Sequence, residues 1–297
     1  MAFDLSNLTA YVDQSSFDII SKAVLNTELM SEITVRPGLS SGTVAINLLE
    51  GDLVVTDRAC GFDPDGDITP SQVEIEIANK QTKMTVCRQD LLDFYMSQTM
   101  GASAHDEDIA FEETIVEYYI RKIKEFNENY LINGDATRDG IKAQVTQANG
   151  ANLQGGTPAA WTPTNALAQA LDLYDAIDEK VKDMNDLIMI VSPNAYRALT
   201  RALVAANLFH YDSVNGNEIG ELPGTNIKIV KSSGLIGSDY AVAGPASFIV
   251  AGTGLTDDMD TFKIMYDPFE DITKMAAYWR LGVAVHQVDV FATNDLA

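Results

Sequence analysis

The chain has 297 residues, 46% of them apolar, so it can bury a large core as one large or two medium domains. Its 43 acidic residues outnumber the 20 lysines and arginines, giving a formal net charge of -23 at pH 7. Because such a surface repels phosphate backbones and no Lys/Arg-rich run is present, DNA is excluded as a direct ligand of most of the surface. No apolar run approaches the roughly 20 residues of a membrane helix, and the N-terminus lacks signal-peptide features, so we expect a soluble protein that is not secreted by that route.

The first part of the chain predicts a short arm helix followed by a long β-hairpin. Apolar residues recur at three- and four-residue spacing over residues 17–29. Strand-like runs then cover residues 43–56 and 72–86, with an acidic turn at residues 61–67 between them. Apolar residues that alternate with polar ones define one face of the second strand; these are Val73, Ile75 and Ile77. A hairpin alone is only marginally stable in water, so we expect this face to lie on something else.

A short helical pattern at residues 91–96 precedes a long helix predicted over residues 106–133. Acidic residues at 106–108 favour the positive end of its dipole, and Gly134 follows its end. At 1.5 Å per residue the helix is roughly 35 to 40 Å long. Tyr119 lies near its apolar stripe and is expected to pack, whereas Tyr118 lies to the side and is placed to meet a neighbouring chain. Glu128 falls on another face of the helix.

The second half predicts a mixed α/β block after a Gly- and Pro-containing loop at residues 148–163. A helical stripe follows the loop and consists of Leu167, Leu171, Tyr174, Ile177 and Val181. Residues 187–191 are typical of a buried strand, and Ser192 is expected to cap a helix that begins at Pro193. Further strands are predicted at residues 227–230 and 248–250, and residues 262–291 are again β-rich.

An acidic turn supplies the best candidate for a metal site. Asp63, Asp65, Asp67 and Glu74 match positions 1, 3, 5 and 12 of a calcium-binding EF-hand loop. That loop requires glycine at position 6, where this chain has Ile68, and its twelfth residue begins an alternating strand here. The sequence therefore favours a solvated acidic turn over a weak cation site.

Catalytic and cofactor motifs are absent from the sequence. The three histidines, His105, His210 and His286, have no metal-ligand spacing, and there is neither a GxSxG elbow nor a Walker loop. Cys60 and Cys87 are too few for a disulfide framework or a four-ligand metal site. We therefore expect no enzyme, no cofactor and a reducing compartment, with a Cys60–Cys87 or inter-subunit bridge as the minor alternative.

The order of elements is more informative than any motif: short arm, long hairpin, long helix, α/β block and closing strands. This order resembles the α+β fold of tailed-bacteriophage major capsid proteins, the Hong Kong 97-like capsid fold. The resemblance covers nearly the whole chain and rests on residues 42–86, 106–133, 187–199, 221–230 and 279–291.

The resemblance also implies a division of the chain into the segments of that family. These segments are an N-terminal arm (1–36), an E-loop hairpin (37–88), a peripheral domain (89–150) with its spine helix (106–133), an axial domain (151–261) and returning strands of the peripheral domain (262–297).

By this resemblance, the chain is expected to self-assemble into hexamers and pentamers of an icosahedral shell. The shell would enclose double-stranded DNA without binding it sequence-specifically. The virion would be assembled in the host cytoplasm. The implied partners are further copies of the chain, a portal protein and, because the chain begins almost at the arm, a separate scaffolding protein. The alternative is a chain already processed by a protease, and the N-terminal Met1 favours the separate scaffolding protein. The E-loop would lie over a neighbouring subunit, with Val73, Ile75, Ile77 and Tyr118 as candidate inter-subunit contacts. Replacing Ile75 and Ile77 with Asp should then block assembly more than it disturbs folding.

Two alternatives remain open from the sequence. An encapsulin, a bacterial nanocompartment shell protein that holds cargo enzymes, shares the same fold and a similar length. A cytosolic α/β enzyme built on residues 164–260 would use a nucleotide crevice, but it lacks a phosphate loop and leaves the long hairpin without a role.

Overall fold

The computed structural model describes residues 28–52, 67–87, 111–208, 220–254, 262–267, 269–270 and 272–296. Most of the predicted arm helix, the hairpin tip, the helical pattern at 91–96 and the first residues of the predicted spine helix lie outside these ranges. The expectations for those parts stay predictions.

The described residues form strands and α-helices that are numbered here in chain order. The strands are β1 (Thr34–Arg36), β2 (Gly42–Asp52), β3 (Asp67–Cys87), β4 (Gly134–Asp135), β5 (Arg138–Asp139), β6 (Asn152–Leu153), β7 (Leu187–Val191), β8 (Lys228–Lys231), β9 (Val242–Pro245), β10 (Ile249–Thr253), β11 (Phe262–Asp267), β12 (Ile272–Val285) and β13 (Ala292–Thr293). The helices are α1 (Phe111–Asn133), α2 (Ile141–Gln144), α3 (Ala166–Asp175) and α4 (Pro193–Ala205). In the part of the chain that the structure describes, no helix is long and apolar enough to cross a membrane.

The first sheet has six strands in the order β1-β10-β12-β3-β2, with β11 paired to β12. The 21-residue strand β3 has two successive partners. Its first half pairs with β2 from Asp67 to Ile77, and its second half pairs with β12 from Ala78 to Cys87. The predicted hairpin pairing is therefore present. Its second strand is the first half of β3, and the same strand continues beyond the hairpin to pair with β12.

Helix α1 covers one face of this sheet. Its 23 residues span about 35 Å at 1.5 Å per residue. Tyr119 is 2% exposed, and its hydroxyl donates to the carbonyl of Thr82 at 3.3 Å, so it packs as predicted. From β12, Trp279 donates its indole N–H to Asn127 Oδ1 at 2.9 Å. Gly134 follows the helix with φ +71°, where a side chain would collide with the backbone of Arg138, and the small β4–β5 hairpin begins there.

The second sheet has five strands in the order β6-β13-β9-β7-β8. Strand β7 is buried along its whole length, as its continuous apolar sequence predicts. The predicted cap is also present, since Ser192 Oγ accepts a hydrogen bond from the amide of Ala195 at 3.2 Å and Pro193 is the first helical residue of α4.

The predicted apolar stripe of α3 is wrong at Leu171, which is 36% exposed. The buried face of the helix instead consists of Ala166, Gln169, Ala170 and Leu173. Helix α3 packs against α4 and against strands β9 and β13. Small alanine side chains allow this close approach, so the large Leu171 lies outside the contact.

Two strands do not belong to the sheet that the predicted boundary between residues 261 and 262 implies for them. Strand β10, expected in the axial domain, pairs with β1 and β12 in the first sheet. Strand β13, expected among the returning strands, pairs with β6 and β9 in the second sheet. The chain thus crosses between the sheets more than once, and the segment division remains a prediction.

Candidate inter-subunit contact surfaces

The root of the β2–β3 hairpin is buried within the chain itself. Ile75 is 0% exposed and Ile77 is 1% exposed, and both belong to a small core with Ile46, Val250 and Ala284. Both side chains pack closely on β10. A Cβ added to Gly252 of that strand would lie 3.0 Å from Ile75 Cδ1 and 3.2 Å from Ile77 Cδ1. The expectation that this apolar face is buried against a neighbouring chain is wrong for Ile75 and Ile77, which are buried within their own chain. These two side chains have no surface left to offer a partner.

Val73 and Tyr118 keep accessible surface. Val73 is half-buried and packs at the edge of the same small core. Tyr118, on α1, is 46% exposed, and the guanidinium of Arg121 lies 5.4 Å from its ring centroid. An exposed tyrosine beside an arginine is a common composition for contact surfaces between proteins. Both residues remain candidate contacts, and their role in contacts stays a prediction.

The EF-hand-like residues do not converge where the structure describes them. Asp67 and Glu74 both lie on β3, seven residues apart along an extended strand, so their backbones are separated by about 23 Å. One ion cannot bind both residues, and the candidate site is wrong for this pair; Asp63 and Asp65 lie outside the described residues. No cluster of three or more potential metal-binding side chains occurs within the described ranges.

The remaining chemical candidates show no catalytic arrangement where they are described. His286 is 8% exposed beside the ring of Phe248, at 5.0 Å between centroids. Burial lowers the pKa of its imidazole, and the nearby charge of Arg36 lowers it further. Cys87 is a half-buried free thiol. His105, His210 and Cys60 fall outside the described residues, so the expectation for a bridge stays untested.

The sequence argument for a nucleotide crevice is not supported by the topology of residues 164–260. Within this stretch β7 and β8 are parallel, but β9 pairs with β7 in the antiparallel direction. Strand β10 belongs to the other sheet. A doubly wound enzyme needs neighbouring parallel strands whose order reverses at a switch point, and the described residues of this stretch, 164–208 and 220–254, do not form one.

A buried carboxylate on α1 joins three parts of the chain, and sequence reasoning missed it. Glu128 is 7% exposed and accepts hydrogen bonds from the backbone amides of Glu28 and Ser233, both at 3.0 Å, and from the Ser233 hydroxyl. A Cβ added to Gly234 would lie 2.6 Å from the carbonyl oxygen of Glu128, so the loop after β8 can approach the helix only with glycine there. Helix periodicity assigned Glu128 to an outer face, because its partners lie about 100 residues away in sequence.

A second polar cluster connects β3 to the end of α1. Lys80 Nζ lies 2.8 Å from Asp135 Oδ2 and 3.9 Å from the ring centroid of Tyr130. The hydrogen bond from Lys80, with those from the Thr137 backbone and side chain, holds the pKa of Asp135 far below its usual range. Burial, followed by the charge of Asp135, raises the pKa of Tyr130 to about 12. The Lys80 amine is therefore engaged within its own chain.

Neither a protein-family model nor a curated protein matches this sequence. Solved structures do match. A chain from the satellite phage P4 procapsid that includes the size determination (Sid) protein has a TM-score of 0.62 and 13% identity, covering 97% of this chain and 95% of that one. Gordonia phage Cozz gives 0.55 and 11%, covering 90% and 85%. The SrpI encapsulin of Synechococcus elongatus PCC 7942 gives 0.51 and 14%, covering 89% and 85%.

These matches span nearly the whole chain, so they concern its complete architecture of hairpin, long helix and two sheets. The predicted α+β Hong Kong 97-like capsid fold is confirmed. At 11 to 14% identity the likeness defines the fold.

Proposed function

We propose, from its Hong Kong 97-like capsid fold, that this chain is a major capsid protein of a tailed phage. It would self-assemble into hexamers and pentamers of an icosahedral shell that encloses double-stranded DNA. The observation that carries the proposal is the match of 97% of this chain to a chain of the P4 procapsid, at the highest TM-score of the three structures compared.

The hairpin gives a physical reason for assembly. Strand β2 and the first half of β3 form an antiparallel ladder from Gly42–Ile77 to Asp52–Asp67, and among the described residues this part pairs with no third strand. A two-stranded ribbon is only marginally stable in water by itself. Its root is anchored in the core of its own chain, so a neighbouring subunit is needed only to support the part beyond the root. Val73 lies at that transition and is the hairpin residue proposed to contact the neighbour.

The net charge of -23 fits a container for DNA better than a DNA-binding protein. A negatively charged wall repels packaged phosphate backbones, so the genome is enclosed without adsorbing strongly to the shell. The role proposed is structural and not enzymatic. A portal protein and a separate scaffolding protein are the further partners proposed, with assembly in the host cytoplasm and final location in the virion. The division into arm, E-loop, peripheral and axial segments is proposed on the same basis.

An encapsulin shell is the second candidate, because the SrpI encapsulin also matches over 89% of this chain. Its TM-score of 0.51 is lower than the 0.62 of the P4 procapsid chain, which favours the phage role. The contents of assembled particles separate the two. Particles produced in infected or induced cells should protect double-stranded DNA from nuclease; particles filled with a protein cargo and free of DNA would instead indicate an encapsulin.

Assembly itself is tested with purified protein. Sedimentation velocity and negative-stain microscopy should show rings or megadalton shells, alone or after co-expression with a scaffolding protein. A chain that stays a folded monomer under every assembly condition would contradict the proposal.

A further inference from the structure

Helix α4 presents an unusual outward surface for so acidic a chain. Arg197, Arg201 and Val204 follow one another at spacings of four and three residues, so they lie within about 60° of one another around the helix. All three are exposed, Val204 by 57%. The opposite side of the helix is the buried one and consists of Ala195, Ala198, Leu199, Ala202 and Leu203.

The turn that ends α4 leaves a further apolar side chain exposed, Leu208. Asn207 has φ +56°, its amide donates to the carbonyl of Val204 at 3.1 Å, and the amide of Leu208 donates to the carbonyl of Leu203 at 2.9 Å. This Schellman arrangement keeps Leu208 close to the last turn of the helix. Leu208 is 43% exposed. The basic stripe is defined as Arg197, Arg201 and Val204.

The two guanidinium groups have no ion-pair or hydrogen-bond partner among the described residues. The chain has 43 acidic residues and only 20 lysines and arginines, so most of its cations could find an acidic partner. Two neighbouring arginines without such a partner, beside exposed apolar side chains, are therefore unusual. Arginine is also among the residues enriched in contacts between proteins, where its fork can bind carboxylates with two hydrogen bonds.

A complementary surface lies on α3 and the turn after it. Leu171 and Asp175 are one helical turn apart on the side opposite the buried alanines, and Glu179 follows. The carboxylates of Asp175 and Glu179 are exposed and, within the described ranges, form no ion pair. The acidic stripe is defined as Leu171, Asp175 and Glu179. It combines an exposed leucine with two carboxylates, as the basic stripe combines exposed Val204 with two guanidinium groups.

We propose that the basic stripe of one copy docks on the acidic stripe of the next copy around the capsomer ring. The inference rests on the proposed shell function and adds the surfaces that join neighbouring axial segments. Two different patches on one chain make a heterologous contact, and a heterologous contact that closes on itself generates a ring. The occupant is a second copy because that copy carries exposed carboxylates, at Asp175 and Glu179, and an exposed leucine within one short stretch of chain.

Charge reversal tests the contact. The double change Arg197→Glu and Arg201→Glu places like charges opposite each other, so the protein concentration needed for half-maximal ring formation should rise at least about tenfold. The double change Asp175→Arg and Glu179→Arg should have the same effect. Combining all four changes in one chain restores opposite charges, so ring formation should return to within about threefold of the wild type. Native mass spectrometry at low ionic strength gives the ring population.

The matched control makes the same change in net charge elsewhere, with Lys83→Glu and Lys124→Glu, and should assemble like the wild type. Urea midpoints measured on unassembled protein show whether each variant is folded, since all the changed side chains lie outside the buried core. Failure of the fourfold variant to recover, although it is folded, would overturn the stripe contact.

Other outcomes separate this inference from the proposed function. Wild-type protein that never assembles would overturn the proposed function, and the stripe contact with it. Wild-type protein that assembles while the Arg197→Glu, Arg201→Glu variant assembles equally well would overturn the stripe contact alone. If that variant forms normal particles that retain less DNA, the basic stripe faces the genome, and contact with a second copy is wrong.

Discussion

Replacing Ile75 with alanine tests whether the hairpin root belongs to the core of a single subunit. Ile75 is 0% exposed and packs with Ile77, Val250 and Ala284. The change removes three buried carbon atoms, which at about 0.8 kcal/mol each cost about 2.4 kcal/mol. Val250 and Ala284, which pack on Ile75, lie on the paired strands β10 and β12, and these strands cannot collapse fully into the cavity. The total loss of unfolding free energy should therefore be about 3 to 4 kcal/mol.

The assay is urea unfolding of unassembled subunits, followed by tryptophan fluorescence and checked for the monomer by sedimentation. Val73→Ala is the matched control on the same face of β3. Val73 is only half-buried, so its truncation should cost less than about 1 kcal/mol. A loss below about 1 kcal/mol for Ile75→Ala, together with a failure to form rings, would refute the reasoning. It would show that this face is buried between chains.

Three further perturbations address packing, the buried carboxylate and acid sensitivity. Gly244→Ala would drive a methyl group into the ring of buried Phe291, so the urea midpoint should fall by an amount equivalent to about 1 to 3 kcal/mol, and an unchanged midpoint would contradict the packing. Glu128→Ala leaves the half-buried amide and hydroxyl of Ser233 without their acceptor and should cost about 1 to 3 kcal/mol in the same assay, whereas a neutral effect would show that the carboxylate is dispensable. Burial lowers the pKa of His286, so the unfolded chain binds a proton at this residue at a higher pH than the folded chain does. The contribution of His286 to stability is therefore full above its ordinary pKa of about 6.5 and is lost as the pH falls below that value. A His286→Gln variant should lose part of this pH dependence between about pH 6.5 and 5, and identical slopes for the variant and the wild type would contradict it.

Elements whose signals are local were predicted from the sequence. The apolar run of β7 is buried throughout, and the Ser192-Pro193 pair begins α4 as a cap and first helical residue. The end of α1 at Asn133 follows from the glycine after it, which adopts a positive φ. Each signal depends on neighbouring residues, so hydrogen-bonding and conformational preferences of a few positions are enough to specify it. The order of these elements was sufficient to predict the fold.

Burial was harder to predict, because periodicity shows that a face is apolar but not which surface covers it. Ile75 and Ile77 lie on the predicted apolar face, but β10 and β12 of the same chain cover them, through pairings that connect residues far apart in sequence. Leu171 was assigned to a buried stripe, yet the close approach of α3 to its neighbours selects small alanines instead.

The sequence by itself determined the hairpin strands, the long helix α1, the β7–α4 unit, the order of these elements and the acidic charge of this protein. Only the tertiary structure decided that β3 pairs with two partners in succession, that Glu128 is a buried acceptor, and that Arg197 and Arg201 lie on the exposed side of α4. The physical reason is the same in each case. These features depend on contacts between residues roughly 15 to 200 positions apart, and the free energy of such contacts is set by packing geometry that no local pattern contains.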